Sequence, residues 1–245
     1  MFIHNINPVL VSIFSLEIRY YGLIYVLGFL LTLFILMKSR NKLKLTKDDI
    51  YDYLFYLIIF TVIGARIFEI LFYEPLFYFN NPLEMLMIWH GGLSFHGGLF
   101  GVIILTYIFA KKKKLHFYDI SDILAVPAAF MLFLGRIANF INGELVGKIT
   151  KLPWGVKFPG YEGFRHPTQI YESLKNLLIF FVLILLRNKN LKKGTLTWLF
   201  VLFYGTLRFL IEFIKEQTSF IFGLPVTQIL SSLMIIISLW FLLKK

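Results

Sequence analysis

Residues 128–142 read AAFMLFLGRIANFIN, an apolar run that contains one arginine, Arg136. Two further apolar runs have the same character, with Arg66 in TVIGARIFEILFY and Arg208 in LFVLFYGTLRFLIEF. A cation inside hydrocarbon costs roughly 3 kcal/mol or more, so intramembrane arginines usually serve a function. The sequence therefore predicts membrane-spanning helices built around buried positive charge that holds an anion.

The composition supports the membrane class. Hydrophobic residues make up 58% of the chain and the mean hydropathy is +0.74, whereas soluble domains contain roughly 45–50% apolar residues. The net charge of +11 does not indicate nucleic-acid binding, because the basic residues form short clusters after apolar runs. The chain has no cysteine, which excludes cysteine nucleophiles, thiolate metal sites and disulfides.

Seven apolar segments are candidates for membrane-spanning helices, since backbone polar groups in hydrocarbon must bond within their own segment. They lie at about 20–37, 53–73, 93–110, 119–140, 168–186, 196–214 and 226–243. Basic clusters follow alternate segments, at 38–47, 111–114, 187–193 and 244–245. By the positive-inside rule, the N-terminus lies outside and the C-terminus in the cytoplasm. The predicted fold class is an all-α polytopic membrane protein with about seven transmembrane helices.

Two connections on the outer side are longer than linkage requires. Residues 74–92 combine prolines, aromatic residues and a short amphipathic pattern, which predicts an arm lying in the membrane interface. Residues 142–166 are rich in turn-forming residues and predict a small extracytoplasmic cap. The sequence shows no repeat, low-complexity linker or soluble second domain. We therefore expect residues 1–245 to form one membrane-embedded domain.

The fourth segment carries the densest group of polar residues. Arg136 and Asn139 are three residues apart and share a helix face, and Asn142, Glu144 and Gly147 follow where the segment ends. An isolated arginine in this position could equally cap the helix or reach the outer headgroups. The neighbouring amides and carboxylate favour a binding site over that alternative.

Other polar residues allow a purely structural interpretation. Tyr204, Arg208 and Glu212 follow each other at i, i+4 and i+8, so Arg208 could simply pair with Glu212. Arg66 could likewise pair with the carboxylate three residues later. Glu172 lies near the polar start of the fifth segment, which indicates a wet cavity rather than lipid. These interpretations remain open from the spacing alone.

His96, in the run WHGGLSFHGGLFG, is the candidate proton acceptor. A hydrogen-bonded packing role is equally compatible with the sequence. Gly97 and Gly101 have the spacing of a helix-packing surface rather than of a phosphate-binding loop. His90 and His96 are too far apart around a helix to share a metal ion. We expect neither a metal nor another cofactor.

Residues 135–147, GRIANFINGELVG, resemble the signature of the bacterial prolipoprotein diacylglyceryl transferases, G-R-x-(G or A)-N-F-x-N-x-E-x-x-G, at every defined position. Further blocks are similar to family motifs in the same order, namely IRYYG at 18–22, GARIF at 64–68, GGLSFHGG at 91–98, HPTQIYE at 166–172 and YGTLRFLIEF at 204–213. The resemblance spans nearly the whole chain.

The resemblance implies a seven-span enzyme of the bacterial plasma (inner) membrane whose active site faces the extracytoplasmic side. Such an enzyme moves the diacylglyceryl group of phosphatidylglycerol to the lipobox cysteine of a preprolipoprotein and releases glycerol-1-phosphate. It would bind the lipid bilayer and preprolipoprotein signal peptides, and no nucleic acid. The reacting thiol would come from the substrate, which fits a chain without cysteine.

The resemblance also implies roles for particular residues. The implied catalytic residues are His96, Arg136, Arg208, Asn139 and Glu144. The implied substrate-binding residues are Arg136, Arg208, Tyr21, Tyr204, Arg66 and Glu172. Lys215 departs from the family pattern, and we expect it only at the edge of the site. We also expect the guanidinium groups to face a lipid-accessible cavity without being tied to carboxylates. Guanidinium groups turned away from any such cavity and bound to carboxylates would contradict the proposed grip on a phospholipid headgroup.

Two other functions would also use intramembrane arginines. A secondary transporter of an anionic metabolite would favour paired halves with repeated broken helices, which the sequence does not show. A lipid-binding scaffold would need the arginines without His96, Asn139 and Glu144. Formation of a transferred product separates both from an enzyme.

Overall fold

The computed structural model describes residues 2–13, 16–216, 220–221 and 223–244, so Lys245 of the last basic cluster lies outside the described residues. Most described residues are helical, which confirms the predicted all-α membrane class. The α-helices are α1 (Tyr20–Leu43), α2 (Lys47–Phe68), α3 (Pro75–Asn80), α4 (Phe95–Lys112), α5 (Phe117–Asn142), α6 (Thr168–Leu186), α7 (Thr195–Glu212) and α8 (Val226–Leu243).

Six helical segments of the described chain are long and apolar enough to cross a membrane. They are α1, α2 continued by a π-helix at Glu69–Tyr73, α5, α6, α7 and α8. The segment predicted as the third span forms the 18-residue helix α4 but is not one of these six. Its first turn holds a histidine and two glycines, and two lysines end it. The number of spans and the sides of the termini stay predictions.

The chain divides into two compact units. The first unit is Met1–Leu31 together with Asp122–Lys245, and the second unit is Thr32–Ser121.

In the second unit, α2 packs closely against α4 through glycines. A Cβ added to Gly64 would lie 3.2 Å from the Cα of Gly101, and one added to Gly97 would collide with the backbone of Gly64. The predicted packing surface of α4 is thereby confirmed. A buried hydrogen bond between the hydroxyls of Tyr53 and Thr106, 2.8 Å long, joins the same two helices.

The predicted interfacial arm consists of short helical turns. It contains α3 and two 3₁₀-helices, Pro82–Leu86 and Ile88–His90. Several of its large apolar side chains are exposed, among them Leu76, Leu83 and Trp89. An apolar outer surface of this kind suits a segment at the membrane interface, although its position in the bilayer stays a prediction.

In the first unit, α7 packs on α8, with the rings of Trp198 and Phe241 stacked at 4.1 Å. Short strands complete the unit. β1 (Phe2–Ile3) pairs in parallel with β4 (Val156–Lys157), and β2 (Val9–Ile13) pairs with β3 (Leu16–Arg19) in antiparallel fashion. β5 (Phe220–Ile221) and β6 (Leu224–Pro225) form a third two-stranded sheet.

The predicted cap at 142–166 has a small core of its own. Val146, Val156 and Phe158 are buried together, and Phe140 at the end of α5 packs against them. His4 follows β1 and its Nε2 lies 2.7 Å from the carbonyl oxygen of Phe140. The cap is therefore fixed to the end of α5, which is the helix that carries Arg136.

Candidate active site

Glu172 of α6 is the centre of a buried group of charges. Its side chain is 1% exposed. Arg136 of α5 reaches it with Nε 2.9 Å from Oε2, and Lys215, just after α7, places Nζ 2.8 Å from Oε1. Arg208 of α7 donates from Nη1 to the same Oε1. Three cations from three parts of the first unit therefore converge on one carboxylate.

A second carboxylate and a fourth cation complete this arrangement. Glu212 forms an ion pair with Arg208, whose Nη2 lies 2.9 Å from Oε2. It also accepts a 2.6 Å hydrogen bond from the hydroxyl of Thr227. Lys175 of α6 places Nζ 3.9 Å from Oε2 of Glu172. The Lys175 ammonium also lies 3.8 Å from the centre of the Tyr204 ring, which is a cation–π distance.

Arg136 connects these charges to Asn139 and Glu144 of the GRIANFINGELVG segment. Its Nη1 donates to Oδ1 of Asn139 over 3.1 Å, and Nδ2 of Asn139 donates to Oε1 of Glu144 over 2.8 Å. The hydroxyl of Tyr21 in α1 donates to the same Glu144 oxygen over 2.5 Å. We call the seven charged residues joined in this way the charge cluster, namely Arg136, Glu144, Glu172, Lys175, Arg208, Glu212 and Lys215.

A tight turn after α5 brings Glu144 back to Asn139. Gly143 has a φ of +69°, a left-handed conformation that glycine adopts without strain. The backbone N–H of Glu144 then donates to the carbonyl of Asn139 over 3.1 Å. Gln169 of α6 holds the far side of the turn, because its Nε2 donates to the Glu144 carbonyl over 2.5 Å.

Gly147 allows the chain after this turn to approach its neighbours. It forms an antiparallel bridge with Lys215, and a Cβ added to it would lie 2.7 Å from side-chain atoms of both His166 and Thr168. The bridge fixes the backbone of Lys215 beside the signature. Burial lowers the pKa of Lys215 below its ordinary value, Glu172 opposes this shift, and the charge of Arg208 adds to it.

Arg66 lies in the second unit and binds backbone carbonyls. Its guanidinium nitrogens donate to the hydroxyl of Tyr78 over 3.0 Å and to carbonyl oxygens of Met85, Gly91 and Gly92 over 3.1, 2.5 and 2.9 Å. These carbonyls all belong to the predicted arm at 74–92. The geometry supports a role for Arg66 in fixing the arm, and substrate binding by this residue stays a prediction.

His96 also lies in the second unit, in the first turn of α4. Its side chain is exposed, and its Nδ1 lies 3.0 Å from the hydroxyl of Tyr73. Ser94 caps the helix by accepting from the N–H of Gly97 over 3.4 Å. The imidazole is thus oriented by a neighbour and open on one side, as a proton acceptor requires, and its catalytic role stays a prediction.

A family model described as prolipoprotein diacylglyceryl transferase matches residues 8–244. The chain belongs to this family. A relative from Geobacter sulfurreducens is 44% identical over 216 residues, which cover 86% of this chain and 83% of the relative. Relatives from Rickettsia bellii and Bordetella parapertussis are 41% and 40% identical, covering 98% and 89% of this chain and 95% and 85% of their own. Each of these relatives is named phosphatidylglycerol–prolipoprotein diacylglyceryl transferase.

In this diacylglyceryl transferase the expectation of unpaired guanidinium groups is wrong. Arg136 and Arg208 both bind Glu172, and Arg208 also forms the i, i+4 pair with Glu212 that the sequence had left open. The physical reason is the cost of desolvation, because a buried cation without a counter-ion loses several kcal/mol of hydration. Carboxylates that share several cations keep the arginines in the protein interior.

Two cations of the transferase site were not assigned to it from the sequence. Lys215 was expected at the edge of the site but binds the central carboxylate directly. Lys175 received no role at all. Its signal was the i, i+3 spacing from Glu172 within an apolar helix, which places a lysine on the same face as the carboxylate. A lysine inside a predicted span indicates buried positive charge just as an arginine does.

Proposed function

We propose that this chain transfers the diacylglyceryl group of phosphatidylglycerol to the lipobox cysteine thiol of a preprolipoprotein, the first step of bacterial lipoprotein maturation. The family match over residues 8–244 is the observation that carries this proposal. The charge cluster supports it from the chemical side. Neither a transporter nor a lipid-binding scaffold is favoured by these observations.

The phosphodiester of the lipid is the ligand that suits the charge cluster. Counted over the described residues, the cluster contains four cations and three carboxylates, a formal excess of one positive charge. A phosphatidylglycerol headgroup carries one negative charge. Buried charges are stable when they are paired, so this headgroup completes the cluster. Arg136 is the cation that the substrate reaches first, since its side chain is 18% exposed and that of Arg208 is 11% exposed.

The reaction is a substitution at the glyceryl carbon. The sulfur of the lipobox cysteine forms a bond to that carbon, and the bond from carbon to the bridging phosphate oxygen breaks. The electron pair goes to the phosphate, which leaves as glycerol-1-phosphate with a second negative charge. Arg136 and Arg208 stabilise this developing charge, and planar guanidinium groups match phosphate oxygens in geometry. Asn139, Glu144 and Tyr21 hold Arg136 in place through the hydrogen bonds described above.

The thiol must lose its proton before it attacks, because the thiolate is the nucleophile and a free cysteine has a pKa of about 8.5. Either His96 accepts the proton or the positive field of the arginines lowers the pKa of the thiol. If His96 is the base, His96→Gln reduces the transfer rate constant by at least about a hundredfold at pH 7. The measurement is kcat of the purified variant over a pH series. Activity near that of the parent chain would exclude His96 as the base and leave the arginine field.

The same proposal includes the placement of the chain in the cell. Residues 1–245 act as one membrane-embedded transferase domain in the bacterial plasma membrane. Its arm at 74–92 lies in the interface and its cap at 142–166 lies on the extracytoplasmic side, where the active site opens. The basic clusters at the predicted cytoplasmic ends of the helices support this orientation.

The deciding experiment uses the purified chain in detergent with phosphatidylglycerol and a synthetic lipobox peptide. We expect the peptide to gain the mass of a diacylglyceryl group while glycerol-1-phosphate is released in equal amount. A peptide with serine in place of the lipobox cysteine is the matched control and should remain unchanged. If neither product forms with active lipid and reduced peptide, the proposed function is wrong.

A further inference from the structure

Lys175 is a buried cation that the reaction described above does not use. Its side chain is 3% exposed, and its Nζ has no hydrogen-bond partner within the described part of the chain. Nζ lies between the carboxylate of Glu172, at 3.9 Å, and the ring face of Tyr204, at 3.8 Å. Both neighbours attract positive charge. Burial and the nearby charges of Arg208, Arg136 and Lys215 oppose a charge at this position and the carboxylate of Glu172 favours it, so a protonated Lys175 acts on its surroundings through its field.

The charge of Lys175 decides the sign of the whole charge cluster. Without it, Arg136, Arg208 and Lys215 face three carboxylates, and the formal charge is zero before any ligand arrives. With it, the cluster carries one positive charge, and a bound phosphodiester brings the total to zero. A phosphate monoester such as the glycerol phosphate product carries up to two negative charges, so its binding would leave the cluster with a net negative charge.

We propose that Lys175 is a positioning residue of the phospholipid site, whose charge offsets Glu172 so that Arg136 and Arg208 can bind one singly charged phosphodiester. This inference rests on the proposed function and deepens it. It makes Lys175 a determinant of substrate affinity rather than of the bond-breaking step. Neutralising Lys175 should therefore act on KM for phosphatidylglycerol more than on kcat.

The first test replaces Lys175 with methionine, which keeps an unbranched apolar stem and removes the charge. We expect Lys175→Met to raise KM for phosphatidylglycerol by about tenfold or more, because one unit charge within the cluster is lost at low dielectric, with a smaller effect on kcat. Lys175→Arg, which keeps the charge, should stay within about threefold of the parent KM. Lys151→Met is the matched control, since Lys151 is an exposed lysine of the cap, and its KM should not change.

The second test restores the charge count without restoring the lysine. The double variant Lys175→Met with Glu212→Gln removes one cation and one carboxylate, so the formal charge returns to one positive. We expect the KM of this variant for phosphatidylglycerol to return most of the way to the parent value. A purely structural role for Lys175 predicts the opposite, because two altered side chains would disturb the packing more than one.

The outcomes separate this inference from the proposed function. If the parent chain forms no product, the proposed function fails. If the parent chain is active and folded Lys175→Met has the parent KM, only the role of Lys175 is overturned. A KM that rises in the single variant and stays high in the double variant also overturns it. Should Lys175→Met not accumulate as folded protein, Lys175→Gln replaces it as the neutral variant with the same expected rise in KM.

Discussion

At the residue scale, Glu172 explains how several cations can coexist in the interior of the first unit. A buried carboxylate with ion pairs to Arg136, Arg208 and Lys215 reduces the repulsion among them. Removing one partner of a buried pair typically costs about 3–5 kcal/mol, since the remaining charge is left uncompensated. Glu172 is therefore as much a part of the proposed anion site as the arginines that it binds.

At Arg208, a lysine substitution can separate the effect of the positive charge from that of the guanidinium shape. Its guanidinium spans two carboxylates, with Nη1 on Glu172 and Nη2 on Glu212. Lysine keeps the charge but cannot make both contacts and a phosphate contact at once. We expect Arg208→Lys to lower kcat/KM for transfer by about a hundredfold or more while the chain still inserts into the membrane. Kinetics of the purified variant and its membrane-fraction yield measure the two effects.

A matched variant controls for the loss of an arginine as such. Arg187→Lys changes an arginine at the C-terminal end of α6, outside the charge cluster, and should retain the parent activity. Arg208→Lys with turnover near that of the parent chain would contradict the role given to its fork-shaped guanidinium.

Among the structural elements, the turn after α5 is the one that brings Glu144 next to Asn139. Helix geometry alone puts Arg136 beside Asn139, but Glu144 reaches Asn139 only because the chain reverses at Gly143. The next residues then bridge to the segment after α7 through Gly147. One turn thus ties together the end of α5, the start of α6 and the end of α7.

Gly147, just after this turn, has no room for a side chain. A Cβ there would meet His166 and Thr168 at 2.7 Å, which forces the backbone apart. We expect Gly147→Ala to reduce the free energy of unfolding by about 1–3 kcal/mol and to lower transfer activity, since Lys215 would move with the bridge. Thermal unfolding in detergent measures the first effect and the peptide assay the second. Gly22→Ala, where the added Cβ meets open space, should leave the melting temperature unchanged or slightly raised.

At the scale of the whole molecule, helix α4 decides the topology. With α4 as a span the chain crosses the membrane seven times and its termini lie on opposite sides. With α4 outside the membrane, the six spans of the described residues would put both termini on the same side. The positive-inside pattern predicts the first arrangement.

The absence of native cysteine makes this topology easy to measure. We expect Asn5→Cys in intact spheroplasts to react with a membrane-impermeant maleimide, and Lys244→Cys to react only after the membrane is opened. Both positions are exposed, so the label can reach them. Equal labelling of both variants in intact spheroplasts would exclude an odd number of spans.

The membrane class, the family and most of the helices follow from the amino-acid sequence. Apolar runs of sufficient length must be helical in a bilayer, so hydropathy alone locates α1, α2 and α5 to α8, and the signature around Arg136 indicates the reaction. Side chains within one helix, such as Arg136 with Asn139 and Arg208 with Glu212, were also predictable, because the helical repeat fixes their spacing.

Which charged side chains meet depends on the packing of the helices. Glu172, Arg208 and Lys215 come from different segments, and their contacts depend on how α5, α6 and α7 pack, which no local spacing encodes. The same holds for Arg66, whose partners include the carbonyls of Gly91 and Gly92 in the arm. Hydrophobic periodicity predicts where a helix begins and ends. The free energy of burying a charge, in contrast, depends on neighbours that are distant in the chain.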